Sequence, residues 1–541
     1  MEWMIMNDQL SNIRINQTGY SDALPVHVAV LSGNLMTLST DGWVQSSVQI
    51  ETPETDESSG DKVTVINLGI LSEGEYSVQC GEEYARHITV KKNPWKDVTT
   101  ALIKGLYYQR CGCELKPEHA GRFTHPACHT APASEWENKS VKKLVTGGWH
   151  DAGDYGKYVG PGAVTVAHLL YTYILCPKGC SDELNIPESG NGVPDILNEA
   201  RYELEWMLKM QRDDGAFYHK LTKDHFAPFI MPQDDHDPEY LMPVSHCATA
   251  AACACLALSY RVYREFDAEF ADRMLDAALR ASEWLDENPD FVPFVNPEGV
   301  RTGMYGDRSD KDERFWAACE LYAVTGEAEY QKKAEALYSD ELRITSYGWA
   351  EVSGLGAMCC LFEIGDKPEN TLYSVIKERF ISECKKIQSL SESTGYGTAL
   401  PPKGYGWGSI LPIMSNAMSM IMYEMLTGDT SMRENALMQW NYALGLNALD
   451  ICFVTGFGER SVMNPHHRPS GSDGIDDPVP GLISGGPNKG FPYSQTKEKL
   501  GEDVPPAKAY LDELPSADTN EIAIYWNSPA IFVGAFFNSI S

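Results

Sequence analysis

Residues 147–159 read GGWHDAGDYGKYV, the stretch that most constrains what this chain folds into and does. Two carboxylates, Asp151 and Asp154, stand three residues apart among four glycines. Glycines permit positive φ and close backbone approach, so such a turn can direct both carboxylates into one cleft. The neighbouring Trp and two Tyr offer the flat faces that a sugar ring needs. The alternative is an acidic surface turn, because Asp and Gly are ordinary turn residues.

The composition predicts a large globular protein with a neutral ligand. The chain has 541 residues, 43% of them hydrophobic, so two domains and a large core are expected. Its 76 acidic and 44 basic residues give a formal net charge of -32, which disfavours nucleic acid and anionic membranes as partners. No run of 18 apolar residues predicts a membrane span. Most of the charge is expected to be solvated surface that serves solubility.

The N-terminus and the cysteines bear on the compartment. Residues 1–8 contain neither a basic segment nor a long apolar run, so a secretory signal is not predicted. Fourteen cysteines without such a signal indicate free thiols in a reducing compartment rather than a disulfide framework. We therefore expect a cytoplasmic protein, with secretion as the alternative if a leader has been removed.

Hydrophobic periodicity divides the chain into an all-β part and an all-α part. Short runs rich in β-branched residues between residues 10 and 95 predict an immunoglobulin-like β-sandwich of roughly seven strands. The second part, residues 98–541, is predicted to be helical, because apolar residues recur at helical spacing in ten segments: Val164–Leu175, Pro194–Met210, Cys247–Tyr263, Ala268–Trp284, Glu313–Val324, Glu329–Ser339, Trp349–Phe362, Leu372–Ile387, Ile410–Leu426 and Met432–Leu446. A last apolar stretch, Ser528–Phe537, is a further candidate. Long loops, which in compact domains are usually functional, separate these helices at 213–243, 289–312, 391–408 and 452–520.

A third carboxylate, Glu521, is the one acid directly before the apolar, aromatic run of residues 522–526. Apolar surroundings disfavour the charged form of a carboxyl group and raise its pKa. A general acid that works near neutral pH requires such a shift. The alternative is a helix N-terminal acid that the helix dipole stabilises.

Candidate sugar-binding residues lie in two loops and in the aromatic run. Residues 464–469, Asn-Pro-His-His-Arg-Pro, place His467 and Arg468 where they can donate hydrogen bonds to sugar hydroxyls or to a carboxylate. A metal site there is a weak alternative, because adjacent histidines rarely both ligate one ion. Trp407 and Tyr525 are candidates for stacking on sugar rings, although aromatic residues at helix edges are more often part of the core.

The sequence also predicts a structural zinc site. Soft thiolates and imidazoles suit tetrahedral zinc, and the candidate ligands lie before and within the carboxylate turn: Cys111, Cys128, His129 and His150. Zinc at His150 would brace Asp151, the next residue. The competitor to Cys111 is Cys113. The alternatives are free core thiols, or a Cys113–Cys128 disulfide in an exported protein.

The stretch Asp-Arg-Ser-Asp-Lys-Asp-Glu at 307–313 predicts a calcium site. Closely spaced oxygen ligands in a loop suit calcium, and Asp307 and Asp310 are the candidates. The alternative is a helix N-terminus, which also attracts acidic residues.

Several motifs together resemble glycoside hydrolase family 9, the inverting β-1,4-glucanases. They are GWHDAGDYGKY at 148–158, PESGNGVPD at 187–195, PHHR at 465–468, PVPG at 478–481 and NEIAI at 520–524. The resemblance covers the whole second domain and implies an (α/α)6 barrel with the cleft at one end. The first domain resembles the immunoglobulin-like module of one branch of this family, and the Cys/His cluster resembles that branch's zinc site.

The resemblance also assigns roles to individual residues. It implies that Asp154 is the general base, that Asp151 helps to hold the water and that Glu521 is the general acid. It places His467 and Arg468 in the subsite of the attacked ring. In an inverting site the two carboxyl groups stand about 6.5–9.5 Å apart to admit the water.

The expected substrates are soluble cello-oligosaccharides or β-glucans. No appended cellulose-binding module or dockerin repeat is visible in the sequence, and no export signal is predicted, so insoluble cellulose is a poor candidate. One alternative is an exo-acting β-glucosidase or glucosaminidase on the same scaffold. The other is a non-catalytic carbohydrate-binding protein, which would be expected to lack a catalytic carboxylate.

Overall fold

The computed structural model describes residues 11–50, 54–81 and 86–541, so the predictions that involve residues 10, 51 and 85 lie outside it. All regular elements described between residues 13 and 91 are strands. They are β1 Ile13–Arg14, β2 Tyr20–Ser21, β3 His27–Val30, β4 Leu35–Thr40, β5 Trp43–Gln49, β6 Glu54–Thr55, β7 Lys62–Asn67, β8 Gly74–Cys80 and β9 Arg86–Lys91.

These strands form two sheets that share an apolar core. One sheet has the order β1-β3-β7-β6 and the other has the order β2-β9-β8-β4-β5. Val28 in the first sheet and Met36 and Val78 in the second are fully buried in one cluster. The prediction of an all-β N-terminal sandwich is confirmed.

The rest of the chain is dominated by helices. Fifteen α-helices lie in the described part: α1 Lys96–Tyr108, α2 Pro117–Ala120, α3 Val159–Leu175, α4 Asp195–Lys209, α5 His246–Tyr263, α6 Ala268–Glu287, α7 Lys311–Thr325, α8 Ala328–Leu337, α9 Ser353–Met358, α10 Tyr373–Glu392, α11 Ile410–Thr427, α12 Arg433–Ala443, α13 Ser494–Leu500, α14 Ala517–Asn520 and α15 Ile524–Ile540. The predicted segments coincide with α3–α12 and α15, so the all-α class of this part is confirmed. Helix α1, which packs against α15, was not predicted.

A small sheet inside the helical part positions the carboxylate turn. Its strands are β10 Ala133–Glu135, β11 Lys142–Lys143, β12 Lys157–Tyr158, β13 Lys220–Thr222 and β14 Tyr240–Leu241, in the order β11-β10-β14-β13-β12. Strand β12 directly follows the turn and pairs antiparallel with β13. Across the described residues, no helix has the length and hydropathy of a membrane span.

Candidate active site

Backbone hydrogen bonds join three loops that are far apart in the sequence. Ala152 of the carboxylate turn pairs with Ala523 in an antiparallel bridge. The amide of Arg468 donates to the carbonyl of Gly153 at 3.0 Å, although 315 positions separate the two residues. The motifs at 148–158, 465–468 and 520–524 therefore form one site.

Asp151 is buried and is held by a tyrosine. Its Oδ2 accepts a hydrogen bond of 2.5 Å from the hydroxyl of Tyr305. Its Oδ1 is also buried and has no partner among the described residues. Burial raises the pKa of Asp151 well above its usual range; the charge of Asp154 adds to this rise, and the Tyr305 hydrogen bond opposes it.

Asp154 faces the cleft from the same turn. Its Oδ2 accepts a hydrogen bond of 2.9 Å from the amide of Gly156, and this contact fixes one carboxylate oxygen. The side chain lines a large cavity. Both aspartates are buried, but only Asp154 is among the residues that line the cavity, so the two have different roles available to them.

Glu521 lies in the wall of the same cavity and is half-buried. Trp407 Nε1 donates a hydrogen bond of 3.2 Å to Glu521 Oε2. Burial raises the pKa of Glu521 well above its usual range, and the charges of Asp154 and Asp151 raise it further. The Trp407 hydrogen bond and the charge of Arg468 oppose this rise. The net effect favours a protonated carboxyl group, which is the form that a general acid needs.

The cavity that contains Asp154 and Glu521 has a volume of about 1000 Å³. Aromatic rings make up much of its wall: Tyr158, Phe226, Tyr305, Trp349, Trp407, Tyr493, Tyr525 and Trp526. A large cleft with many rings and a few converging polar groups is typical of a small-molecule site.

Three of the four predicted sugar-binding residues line this cavity, namely Trp407, Arg468 and Tyr525. Trp407 is 44% exposed and presents its ring to the cleft. The guanidinium of Arg468 is fixed from behind, because it donates to the carbonyls of Ala227 at 2.7 Å and Gly153 at 2.9 Å.

The fourth predicted residue, His467, lies behind the wall. It is 1% exposed, and its ring nitrogens are hydrogen-bonded to Gln109 and Ser470 at 2.9 Å each. Gln109 also donates to the Ala152 carbonyl at 2.9 Å, so His467 braces the carboxylate turn. His466 lines the cavity instead. The sugar contact of His467 stays a prediction.

Sequence reasoning did not single out Tyr305, the partner of Asp151. Its φ of 45° lies in the left-handed region, which a tyrosine rarely adopts. Backbone strain of this kind is concentrated at functional sites. The available signal was its position in the loop at 289–312, which was predicted to be functional from its length.

The predicted zinc ligands come together as a cluster. Their ligand atoms all lie within 4.8 Å of one another, and this is the only such group of three or more found in the described residues: Cys111, Cys128, His129 and His150. Cys113, the competitor, is outside it. All fourteen cysteines are free thiols, so the alternative Cys113–Cys128 disulfide is not formed.

The surroundings of the cluster fit a cation. Burial opposes ionisation of Cys111, but the hydrogen bond to Cys128 and the charges of Lys157 and His150 outweigh it and lower the pKa of this thiol well below its usual range. His150 Nε2 is buried and has no partner in the described structure. His129 Nε2 lies 3.2 Å from Asp235 Oδ2, an arrangement common for metal-bound histidines. The four residues therefore form a candidate metal-binding cluster.

The predicted calcium ligands do not converge. Asp310 Oδ2 accepts a hydrogen bond of 2.6 Å from Arg314 Nε at the start of α7. Asp307 and Asp310 belong to no group of three or more converging ligands among the residues that the structure describes. However, Asp307 Oδ2 and Glu313 Oε2 are buried oxygens without a hydrogen-bond partner in that part of the chain.

A helical body with an aromatic-lined cleft and carboxyl groups from two separate loops has the features of a glycoside hydrolase. A comparison with protein families supports this class, because the model of glycosyl hydrolase family 9 matches residues 95–534. The chain belongs to this family.

Relatives are similar over nearly the whole chain. A cellodextrinase of Butyrivibrio fibrisolvens is 36% identical over 97% of this chain and 99% of its own length. The structure of a single mutant of the thermostable endoglucanase of Alicyclobacillus acidocaldarius has a TM-score of 0.91 and 33% identity, and covers 98% of this chain and 100% of its own. A Zn-binding triple mutant of the family 9 endoglucanase J30 has a TM-score of 0.91 and 30% identity, over 96% and 99% respectively.

Proposed function

We propose that the protein hydrolyses β-1,4-glucosidic bonds of soluble cello-oligosaccharides or β-glucans with inversion at the anomeric carbon. The observation that carries this proposal is the presence of Asp154 and Glu521 in one aromatic-lined cavity, with the pKa of Glu521 raised. The similarity to a cellodextrinase and to endoglucanases supports the substrate class.

Each carboxyl group has one task in this mechanism. Glu521 donates its proton to the leaving oxygen, and Asp154 takes a proton from the water that attacks the opposite face of the ring. Asp151 accepts a hydrogen bond from Tyr305 through Oδ2, which leaves Oδ1 to hold this water. Arg468, fixed by two carbonyls, donates to sugar hydroxyls.

The dimensions of the cleft favour an oligosaccharide over a single sugar. A second groove of about 380 Å³ shares Trp349 and Leu411 with the lining of the main cavity. The groove is lined by further polar residues, including Arg343, Ser346 and Asn416. A β-glucosidase or glucosaminidase that releases single sugars has no need of this second groove.

Zinc is the ion that suits the cluster around Cys111. Two thiols and two imidazoles make a closed four-ligand set of the structural zinc type, which contributes stability and no reactive position. His150, one of the four residues of the cluster, directly precedes Asp151. The ion would therefore hold the carboxylate turn in place.

Calcium is proposed near residues 307–313, with a changed ligand set. Asp310 already accepts a hydrogen bond from Arg314. Asp307 and Glu313 each have a buried oxygen without a hydrogen-bond partner in the described structure. Hard cations prefer such carboxylate oxygens. Asp307 and Glu313 are therefore the candidate ligands of this proposed site, and calcium would need further oxygen ligands beside them.

Substitution of either carboxylate tests the proposed mechanism. Asp154→Ala and Glu521→Ala are expected to lower kcat on cellotetraose by roughly 10²- to 10⁴-fold, the usual contribution of a general acid or base. Asp276→Ala, which removes a surface carboxylate that is 71% exposed, is the matched control and should keep full activity. Turnover like that of the wild type in either catalytic variant would refute the assignment.

A further inference from the structure

The cavity wall beside Glu521 is built by a segment that the mechanism does not use. Residues 492–496 and Lys499 line the cavity, together with residues from 511 to 517. Tyr493 is 45% exposed, and its ring packs edge-on against Trp407 with a centroid distance of 5.6 Å. Two exposed rings therefore follow one another along this wall.

The segment is fixed to the element that carries the acid. Thr496 of α13 donates a hydrogen bond of 2.7 Å to Asp518 Oδ1, and Asn488 Nδ2 donates one of 2.8 Å to the Asp518 carbonyl. Asp518 lies in α14, which ends directly before Glu521. At the edge of the cavity, Lys499 forms an ion pair with Glu513. These contacts fix the position of this part of the cavity wall relative to Glu521.

The chemistry determines which part of the substrate meets this wall. In an inverting displacement the water attacks one face of the ring and the leaving oxygen departs from the other, towards the acid. Tyr305 and Trp349 lie on the side of Asp151, and their rings are 4.8 Å apart. Trp407 contacts Glu521 and lies on the leaving side, and Tyr493 is the next ring beyond it.

We propose that Tyr493, at the start of α13, binds the second sugar ring of the leaving group and so sets the preference for substrates that lose a disaccharide. Trp407 contacts the first ring, and the pair Lys499–Glu513 supplies polar groups next to the second. This inference rests on the proposed function and adds the position at which the substrate is cleaved.

The test compares two substrates that differ in the leaving group. Cellotetraose cleaved at its central bond loses two rings, whereas 4-nitrophenyl β-cellobioside loses one aryl ring. Tyr493→Ala is expected to lower kcat/KM on cellotetraose by roughly tenfold, the size of one lost aromatic contact, and to leave the aryl substrate within about twofold. The products of cellotetraose should shift from cellobiose towards glucose and cellotriose.

Two further variants complete the experiment. Tyr493→Phe keeps the ring and should behave like the wild type on both substrates. Trp43→Ala removes a ring that is 77% exposed on the N-terminal sandwich and should change neither value. Equal losses of Tyr493→Ala on both substrates, or no loss on cellotetraose, would overturn the inference. A wild type that is inactive on both substrates would instead overturn the proposed function.

Discussion

The same chemical group has two different surroundings in this cleft. Asp154 accepts a backbone hydrogen bond of 2.9 Å from Gly156. Glu521 lies among Trp407 and other rings, and burial raises its pKa. Catalysis by a base and an acid requires such unequal environments. Trp407 donates a hydrogen bond to Glu521, so its substitution is expected to change the pKa of Glu521.

We expect Trp407→Phe to move the alkaline limb of the pH profile to higher pH. The indole N–H stabilises the ionised form of Glu521 and so lowers its pKa. Without this donor the pKa of Glu521 rises further, and the acid stays protonated to a higher pH. The measurement is kcat/KM on cellotetraose from pH 4 to pH 9.

Trp349→Phe is the matched control for this experiment, because Trp349 lines the cavity without a hydrogen bond to Glu521 among the described contacts. It is expected to lower activity without moving the limb. An alkaline limb that stays in place, or moves to lower pH, in Trp407→Phe would contradict the assignment of Glu521 as the acid.

Residue types at the site could be predicted from the sequence, but their orientation could not. The motif at 465–468 contains two adjacent histidines, and only the loop backbone decides that His466 faces the cavity and His467 faces Gln109. Tyr305 was missed for a similar reason, because its contact with Asp151 depends on a strained backbone that no local pattern encodes.

At the scale of elements, a glycine sets how closely the carboxylate turn approaches the neighbouring loop. A Cβ at Gly153 would lie 1.9 Å from the carbonyl oxygen of His466. We expect Gly153→Ala to lower the free energy of unfolding by about 2 kcal/mol or more, as overpacking of a close contact does, and to abolish most activity. Thermal melting and turnover of cellotetraose measure the two effects.

Gly160→Ala in α3 is the control, since a Cβ there meets no atom within 4 Å. In a helix this change is neutral or slightly stabilising. If Gly153→Ala melted and turned over substrate like Gly160→Ala, the close contact between turn and loop would have no role.

The candidate metal-binding cluster includes His150, the residue before Asp151, so a bound ion would brace the same turn. Cys128→Ser is expected to reduce bound zinc from about one ion per chain to nearly none, because one ligand of a closed set is lost. It should also lower the melting temperature. Elemental analysis of the purified protein measures the zinc, and Cys113→Ser, outside the cluster, should retain it. Unchanged zinc content in Cys128→Ser would remove the assignment.

Long helices could be predicted well, and short or irregular elements could not. Most of the helices α3–α12 have ten residues or more and show sustained apolar spacing, whereas the strands of the small sheet around β12 have two or three residues each, too few for a pattern. Helix α1 has buried Leu102 and Leu106 one turn apart, which is helical spacing, but the helix begins directly after the domain boundary. Long-range pairing such as β12 with β13 depends on the whole fold.

At the scale of the whole molecule, the two parts are joined by polar contacts between the sandwich and the helical body. Arg86 pairs with the buried Asp450 at 2.9 Å, and Asn16 donates to Asn441 at 2.8 Å. Tyr396 donates to Asp61 at 2.8 Å. Buried polar groups keep such partners because loss of one leaves the other unpaired. The sandwich therefore forms a defined interface with the helical body.

The stereochemistry of the reaction depends on all of these features. Inversion requires the base to activate a water on one face of the sugar ring while the acid protonates the leaving oxygen on the other face. The most direct test follows the hydrolysis of cellotetraose by proton NMR and identifies the anomer that is formed first, before mutarotation. The proposed roles of Asp154 and Glu521 predict the α-anomer. A first-formed β-anomer would contradict them, because retention requires a covalent intermediate on one of the carboxylates.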